Sequence, residues 1–211
     1  MDLGTAPVTL NFTPTGFAGD PSHPALTVSS GVLTLNGPLT ISNNSATALG
    51  DGTYVIISQA SGAISGSPTF SGTVAGQGIQ AGKSCEIRIN GGNLELVVAT
   101  PQATTITLSR NLGTTASSAY GDTLQFVVNV SPPAAYGTVQ LFDGGLGGTL
   151  IGTAELSGGS CVITPADTAL APGPHSNLVA RYLGTALFFA NTSAALSPAQ
   201  SVSIKTLVLT G

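Results

Sequence analysis

The chain is predicted to be all-β and to fold as two domains, on three observations. Apolar and polar residues alternate in short runs bounded by Gly, Pro, Asn or Asp, which is the period of a half-buried strand. No window of about a dozen residues keeps the apolar stripe of a helix without a Gly, a Pro or a Thr/Ser run breaking it. The alternation stops at Ala99-Thr100-Pro101-Gln102 and then restarts, which sets a boundary between residues 1–101 and 102–211.

In the first half the strand period appears in Val8-Thr9-Leu10-Asn11-Phe12, Val32-Leu33-Thr34-Leu35, Tyr54-Val55-Ile56-Ile57, Cys85-Glu86-Ile87-Arg88-Ile89 and Leu94-Glu95-Leu96-Val97-Val98. Charges at Glu86, Arg88 and Glu95 occupy alternate positions, so they are expected to face outward with Ile87, Ile89, Leu94 and Leu96 buried. Asn90-Gly91-Gly92-Asn93 predicts a tight hairpin, because Asn and Gly tolerate the positive φ that such turns require.

The second half predicts seven strands, at about 104–109, 122–130, 137–142, 149–156, 161–165, 175–182 and 200–205. Seven short strands at near-regular spacing over about 100 residues indicate a two-sheet sandwich. Asp143-Gly144-Gly145 and Gly158-Gly159 read as hairpin turns, Pro132-Pro133 separates the second and third strands, and Ala171-Pro172-Gly173-Pro174 leads into the sixth.

Two stretches carry resemblances. Gly137-Thr138-Val139-Gln140-Leu141-Phe142-Asp143-Gly144, Leu150-Ile151-Gly152-Thr153-Ala154-Glu155-Leu156, Pro172-Gly173-Pro174-His175 and Val179-Ala180-Arg181-Tyr182 resemble the bacterial Ig-like repeat, over about residues 102–205. The resemblance implies a seven-stranded β-sandwich used as a spacer or adhesive stalk, without shared catalytic residues. The family's Gly-Asp after the Tyr is here Gly184-Thr185, so any loop chemistry owed to that Asp is not carried over. Residues 31–98 look like the segment that closes autotransporter-associated β-strand repeats, on Gly31-Val32-Leu33-Thr34-Leu35-Asn36-Gly37, Ala48 to Ile57, Ile64-Ser65-Gly66 and Gly92 to Val98. That likeness implies the end of a β-solenoid, or a compact β-sandwich descended from one. No repeat of fixed period is visible in the sequence of this half.

Composition narrows function. Charged residues make up 7% of the 211, against about 25% in an ordinary soluble domain. Five Lys plus Arg against nine Asp plus Glu cannot line a groove that neutralises phosphates, so nucleic acid is excluded as a partner. At 42% apolar the chain has material for a core and is not a disordered one. Met1-Asp2-Leu3-Gly4 lacks the basic and apolar regions of a signal peptide, and no run approaches the ~20 apolar residues that span a bilayer. The neutral, Thr- and Ser-rich strands are of the kind found in extracellular bacterial modules, and the chain is read as a piece of a longer protein.

Candidate sites are few. Gly76-Gln77-Gly78-Ile79-Gln80-Ala81-Gly82-Lys83-Ser84 ends like a phosphate loop, but Gln77 stands where the first Gly belongs and a strand, not a helix, follows. Cys85 and Cys161 fall in different halves and are read as two buried free thiols, with a bridge between the halves as the alternative. His23, between Pro21 and Pro24, reads as an exposed loop residue, and His175 as a structural one. A Ser/His/Asp site using Asp20 or Asp167 is the remaining catalytic option, since triads assemble across chain distance, but no Gly-x-Ser-x-Gly elbow is present. Asp51, Asp122 and Asp143 stand isolated and offer no metal cage. With no Trp and four Tyr there is little aromatic platform for sugars; Tyr54 and Tyr182 are expected to pack inside, Tyr120 flanks a loop, and Tyr136 is the ligand-binding candidate.

The leading expectation is a non-catalytic, extracellular structural or adhesive module of a larger bacterial surface or secreted protein, with no cofactor. Its partners would be neighbouring β-domains, the two halves included, covering strand edges that charge does not protect. A carbohydrate-binding accessory module with glycan partners is the alternative, and an unconventional hydrolase the third. The apolar Leu207-Val208-Leu209 is the stretch expected to meet a missing neighbour.

Overall fold

A computed structural model of the chain describes residues 2–59 and 64–205; Leu207-Val208-Leu209 lies outside them. All regular structure among the described residues is strand, and no helix occurs. The chain divides into two compact units, Met1–Pro101 and Gln102–Gly211.

The first unit contains β1 (Val8–Phe12), β2 (Leu26–Val28), β3 (Leu33–Thr34), β4 (Pro38–Asn43), β5 (Gly52–Gln59), β6 (Ile64–Ser65), β7 (Thr69–Gly76), β8 (Ser84–Asn90) and β9 (Asn93–Ala99). They form three sheets, β1-β4-β7, β2-β5-β9-β8 and β3-β6. The pairings β1–β4, β4–β7, β2–β5 and β3–β6 are all parallel. In each the partner begins 31 positions further along: Val8 faces Leu39, Leu26 faces Ile57, Leu33 faces Ile64 and Pro38 faces Thr69. Isolated parallel bridges Asp2–Thr34, Asp20–Tyr54 and Leu49–Ile79 follow the same winding. This is a short three-sided β-solenoid, in which each circuit of the chain stacks on the previous one.

A winding of about 31 residues per coil, not visible in the sequence, is therefore present in the backbone. It is hidden because a ladder position need not keep its residue type: Phe12, Asn43 and Gly76 occupy one rung position in successive coils. The register also shifts after Leu39, so that Ile41 faces Val74. Asn43, completely buried, donates to the carbonyls of Thr47 at 2.8 Å and Gly78 at 3.2 Å and accepts from Ser45 N–H at 3.1 Å, so its burial is compensated. Gly76, at φ +70°, lies against the Asn43 carbonyl where a Cβ would collide. The coil interior is filled by Leu39, Ile41, Leu49, Ile56 and Leu96, with Phe12 set edge-on to Tyr54 at 6.2 Å between ring centres. The buried Tyr54 hydroxyl donates to the Gly50 carbonyl at 3.0 Å.

β8 and β9 form the expected hairpin, with Asn90 paired to Asn93 and Gly91 and Gly92 at φ 56° and 86°. β9 enters between β5 and β8 and runs antiparallel to both. Two side-chain expectations are corrected here. Glu95 is buried, because β9 is an interior strand and Arg88 Nε, at 2.7 Å, and Asn90 Nδ2, at 3.2 Å, close over its carboxylate. Ile89 is exposed, because it sits at the hairpin end of β8, the edge strand.

The second unit contains β10 (Thr105–Arg110), β11 (Ser117–Ala119), β12 (Phe126–Ser131), β13 (Thr138–Asp143), β14 (Thr149–Glu155), β15 (Ser160–Ile163), β16 (Gly173–His175), β17 (Leu178–Tyr182), β18 (Asn191–Thr192) and β19 (Gln200–Ser203). They pair as β10-β12-β15, β14-β13-β17-β18 and β11-β19-β16. Alternate residues such as Val128 and Val130, Val139 and Leu141, and Leu178 and Ala180 point inward and are buried, as a sandwich requires. Completely buried Gln200 is held by Arg110 Nε, which donates to it at 2.9 Å, and itself donates to Ser118 at 3.1 Å.

Seven strands become ten among the described residues. β11 and β18 were not expected, and the predicted 122–130 strand starts only at Phe126. The predicted 175–182 strand divides: β16 pairs with β19, and β17 pairs with β13 in another sheet. Gly158-Gly159 is a tight turn closed by Ser157 and Ser160, but it carries the chain from one sheet to the other rather than joining paired strands. The hairpin at Asp143 is present, with β13 and β14 antiparallel.

Candidate functional site

Three places gather polar side chains. The first is a loop knot at the corner before β2. Asp20 is 5% exposed, and its carboxylate accepts from the N–H groups of Thr15 at 2.8 Å, Gly16 at 3.2 Å and Ser22 at 3.1 Å. His23 Nδ1 lies 2.9 Å from Oδ1 and 3.0 Å from Oδ2. Burial pushes this carboxyl upward, but the His23 contact and the three backbone N–H donors outweigh it and hold the group well below the ordinary carboxylate range. The structure thus brings Asp20, Ser22 and His23 together, but not as a relay. The Ser22 hydroxyl, at 3.5 Å, sits on the same ring nitrogen as Asp20, whereas a base needs its nucleophile on the other. Among the described residues no hydroxyl is placed on Nε2. Backbone bonds between Asp20 and the strand above, Asp20 N–H to Thr53 and Val55 N–H to Asp20, show what the knot does: it fixes a corner of the first coil onto the second.

The second place joins two sheets of the second unit. Asp143, at the end of β13, lies 2.8 Å from His175 Nδ1, and His175 Nε2 lies 2.7 Å from the Ala171 carbonyl. Both ring nitrogens are occupied by structural partners. Asp167, the other carboxylate considered for a triad, instead accepts from Thr123 at 2.9 Å.

The third is an open groove of about 280 Å³ on the β10-β12-β15 sheet, lined by Thr105, Thr107, Asn129, Ser131 and the Gly158-Gly159 turn, with Val130 and Pro133. Thr105 faces Ser131 and Thr107 faces Asn129 across the β10–β12 ladder, which gathers four neutral hydrogen-bonding side chains on one patch. The alternation of β10 and β12 was legible, but only the register sets these pairs side by side.

The remaining candidates resolve individually. Tyr136 is 39% exposed and does not line the groove; its ring stands edge-on to Phe188 with centres 5.7 Å apart. Its carbonyl accepts from the buried Tyr182 hydroxyl at 2.6 Å. Tyr54 and Tyr182 are fully buried, as expected. Lys83, in the phosphate-loop-like stretch, donates to Asp51 and to Thr100, both at 2.7 Å, and the strand β8 follows it. Asp51, Asp122 and Asp143 each stand beside a basic side chain instead of another carboxylate: Lys83, Lys205 at 3.0 Å and His175 respectively. No group of three metal-ligating side chains occurs among the described residues. Cys85 and Cys161 are buried free thiols, as the burial argument predicts.

The architecture and the sequence of the second unit point the same way. Residues 111–203 match the family model of the bacterial Ig-like domain (group 3). The Ig-like match starts after β10, yet β10 pairs with β12 and belongs to the same sandwich. The family model does not extend to residues 31–98, and the autotransporter-type likeness of that stretch is not supported. No curated protein and no solved structure gives a match. Among the described residues no helix is long and apolar enough to cross a membrane.

Proposed function

We propose that the chain is a non-catalytic structural module, a stalk or adhesive segment, of a larger secreted or surface protein of a bacterium, placed between neighbouring β-domains. The observation that carries this reading is the Ig-like match over residues 111–203. The site geometry supports it: the two His residues and their Asp partners anchor a loop and a strand, and the Ser22 hydroxyl lies on the Asp-bound ring nitrogen of His23, where the ring is not placed to act as its base. Few charges and long neutral strands suit domains stacked in series, whose edges cover one another. Antibody labelling of intact cells of the producing bacterium tests the location. Surface labelling that protease removes is expected, and labelling seen only after lysis overturns it.

A second reading is favoured by the groove on the β10-β12-β15 sheet, whose four neutral hydroxyl and amide side chains suit a polyol such as a sugar. A glycan array decides between the two. Saturable binding that is lost in Asn129→Ala and kept in Tyr136→Ala makes the chain an accessory binding module seated on the groove. Binding lost in Tyr136→Ala instead moves the subsite to that ring, and no binding leaves the structural role.

A further inference from the structure

The solenoid of the first unit has two unlike ends. At the far end β9 is inserted between β5 and β8, so one sheet is four strands deep where β1-β4-β7 is three, and the surface is stepped by about one strand spacing, ~4.8 Å. At the near end both sheets finish level on first-coil strands, β1 and β2, and the third side finishes on Asp2 and Leu3, whose N–H donates to Thr34. Among the described residues β1 and β2 each pair on one side only, and neither strand contains a charged residue, a Pro or a Gly to guard its edge.

The interior is also cut open at β2, though not at β1. Leu26 is 41% exposed, while Ile57, its ladder partner one coil on, is 1% exposed. Leu10 and Ile41, the corresponding pair in β1 and β4, are 9% and 0%. The Phe12 carbonyl is turned to β4, where it accepts from Asn44 N–H at 2.8 Å. In a parallel strand successive residues address opposite sides, so Thr9 and Asn11 turn their N–H and C=O groups to the open edge. Both side chains are exposed.

We propose that the level end formed by Asp2-Leu3, β1 and β2 is a docking surface for one more coil of parallel, uncharged β-structure, supplied by the neighbouring β-module of the proposed function. The incoming coil continues the β1–β4 pairing by one step, takes up the Thr9 and Asn11 backbone groups, and covers Leu26. The stepped end at β8 cannot match this surface on two sides at once, which makes a partner coil the occupant rather than the tail end of a second copy. The proposal rests on the modular role but fails separately from it: cell labelling and glycan binding test the role, and backbone protection at Thr9 and Asn11 tests the edge.

The experiment extends the full chain by repeating residues 2–32 once ahead of Asp2, a length that equals the 31-residue register. Amide exchange by NMR in the original segment is expected to slow at Thr9 and Asn11 by at least about tenfold. A control that repeats only residues 2–28 breaks the register and is expected to leave both amides fast. Fast exchange in both chains overturns the proposal. Protection in the unextended chain that grows with concentration, alongside a dimer mass, overturns it too and assigns the edge to a second copy. If the repeat disturbs folding, seen as lost protection at Leu96 in β9, a synthetic peptide of residues 37–44 supplies a neutral strand in trans. Unslowed exchange at Thr9 and Asn11 then overturns the assignment.

Discussion

Asp143 Oδ2 and His175 Nδ1 lie 2.8 Å apart and join the end of β13 to β16, two strands that belong to different sheets. The His175 side chain is 10% exposed, so losing it leaves the part-buried Asp143 carboxylate without its ring partner, while the exposed Ala171 carbonyl can turn to water. His175→Ala is expected to lower the stability of the Ig-like unit by about 1–3 kcal/mol. Asp143→Asn should cost less, and the double variant should cost less than the sum of the two, since each removes the same contact. Denaturant midpoints of the four proteins check this.

Asp20 gives the first unit an acid-sensitive corner. Its folded-state carboxyl is held below the unfolded value of about 3.9, so its contribution is complete at neutral pH and is lost as pH falls below that value toward the folded one. Asp20→Ala removes the acceptor of three N–H groups and should cost about 1–3 kcal/mol at pH 7. Thermal melts between pH 7 and pH 2 should show the parent chain losing stability below about pH 4, with Asp20→Asn flatter across that range.

The two thiols should be inert in the folded protein. Burial, with Glu86 nearby, pushes the Cys85 thiol up to about 11, and burial with Glu155 raises Cys161. At pH 8 neither is expected to react with a thiol reagent on the time scale of a small-molecule control, and both should react at once in denaturant. Fast labelling of either thiol under native conditions contradicts the structure.

Gly76 and Asn43 test the coil corner. Gly76→Ala places a Cβ on the Asn43 carbonyl at a backbone angle that Ala rarely adopts, and is expected to cost about 1–3 kcal/mol. Asn43→Ala should cost a similar amount by leaving the Ser45 N–H without its acceptor and by removing one donor each from the Thr47 and Gly78 carbonyls, which keep Ser45 Oγ and the Leu49 N–H. Gly82→Ala, where a Cβ meets open space, is a control for backbone strain alone.

How much was legible varied with the range of the interaction. The Asn90–Asn93 hairpin could be read because its two glycines and their flanking strands are contiguous, and the burial of Tyr54, Tyr182 and both Cys followed from their apolar neighbours. Glu95 could not be placed correctly, since alternation tells which face a residue takes but not whether that face is covered; with β9 beside β8, the Arg88 and Asn90 side chains close over it. The knot of Asp20 with Ser22 and His23 is local, yet its geometry, with Ser22 and Asp20 on one ring nitrogen, is set by the fold of the loop. The groove at Thr107 and Asn129 needed a pairing across 22 residues of chain.

The sequence by itself determined the class: short alternating runs, turn dipeptides and 7% charge allow strands and few other structures, and the stretch after Pro132-Pro133 carries the Ig-like pattern. Only the tertiary structure decided which strands meet. The 31-residue winding, the division of residues 173–182 between two sheets and the level edge at β1 all depend on backbone hydrogen bonds between distant segments. Those bonds are made by groups that every residue but proline carries alike, so side-chain identity leaves little trace of them.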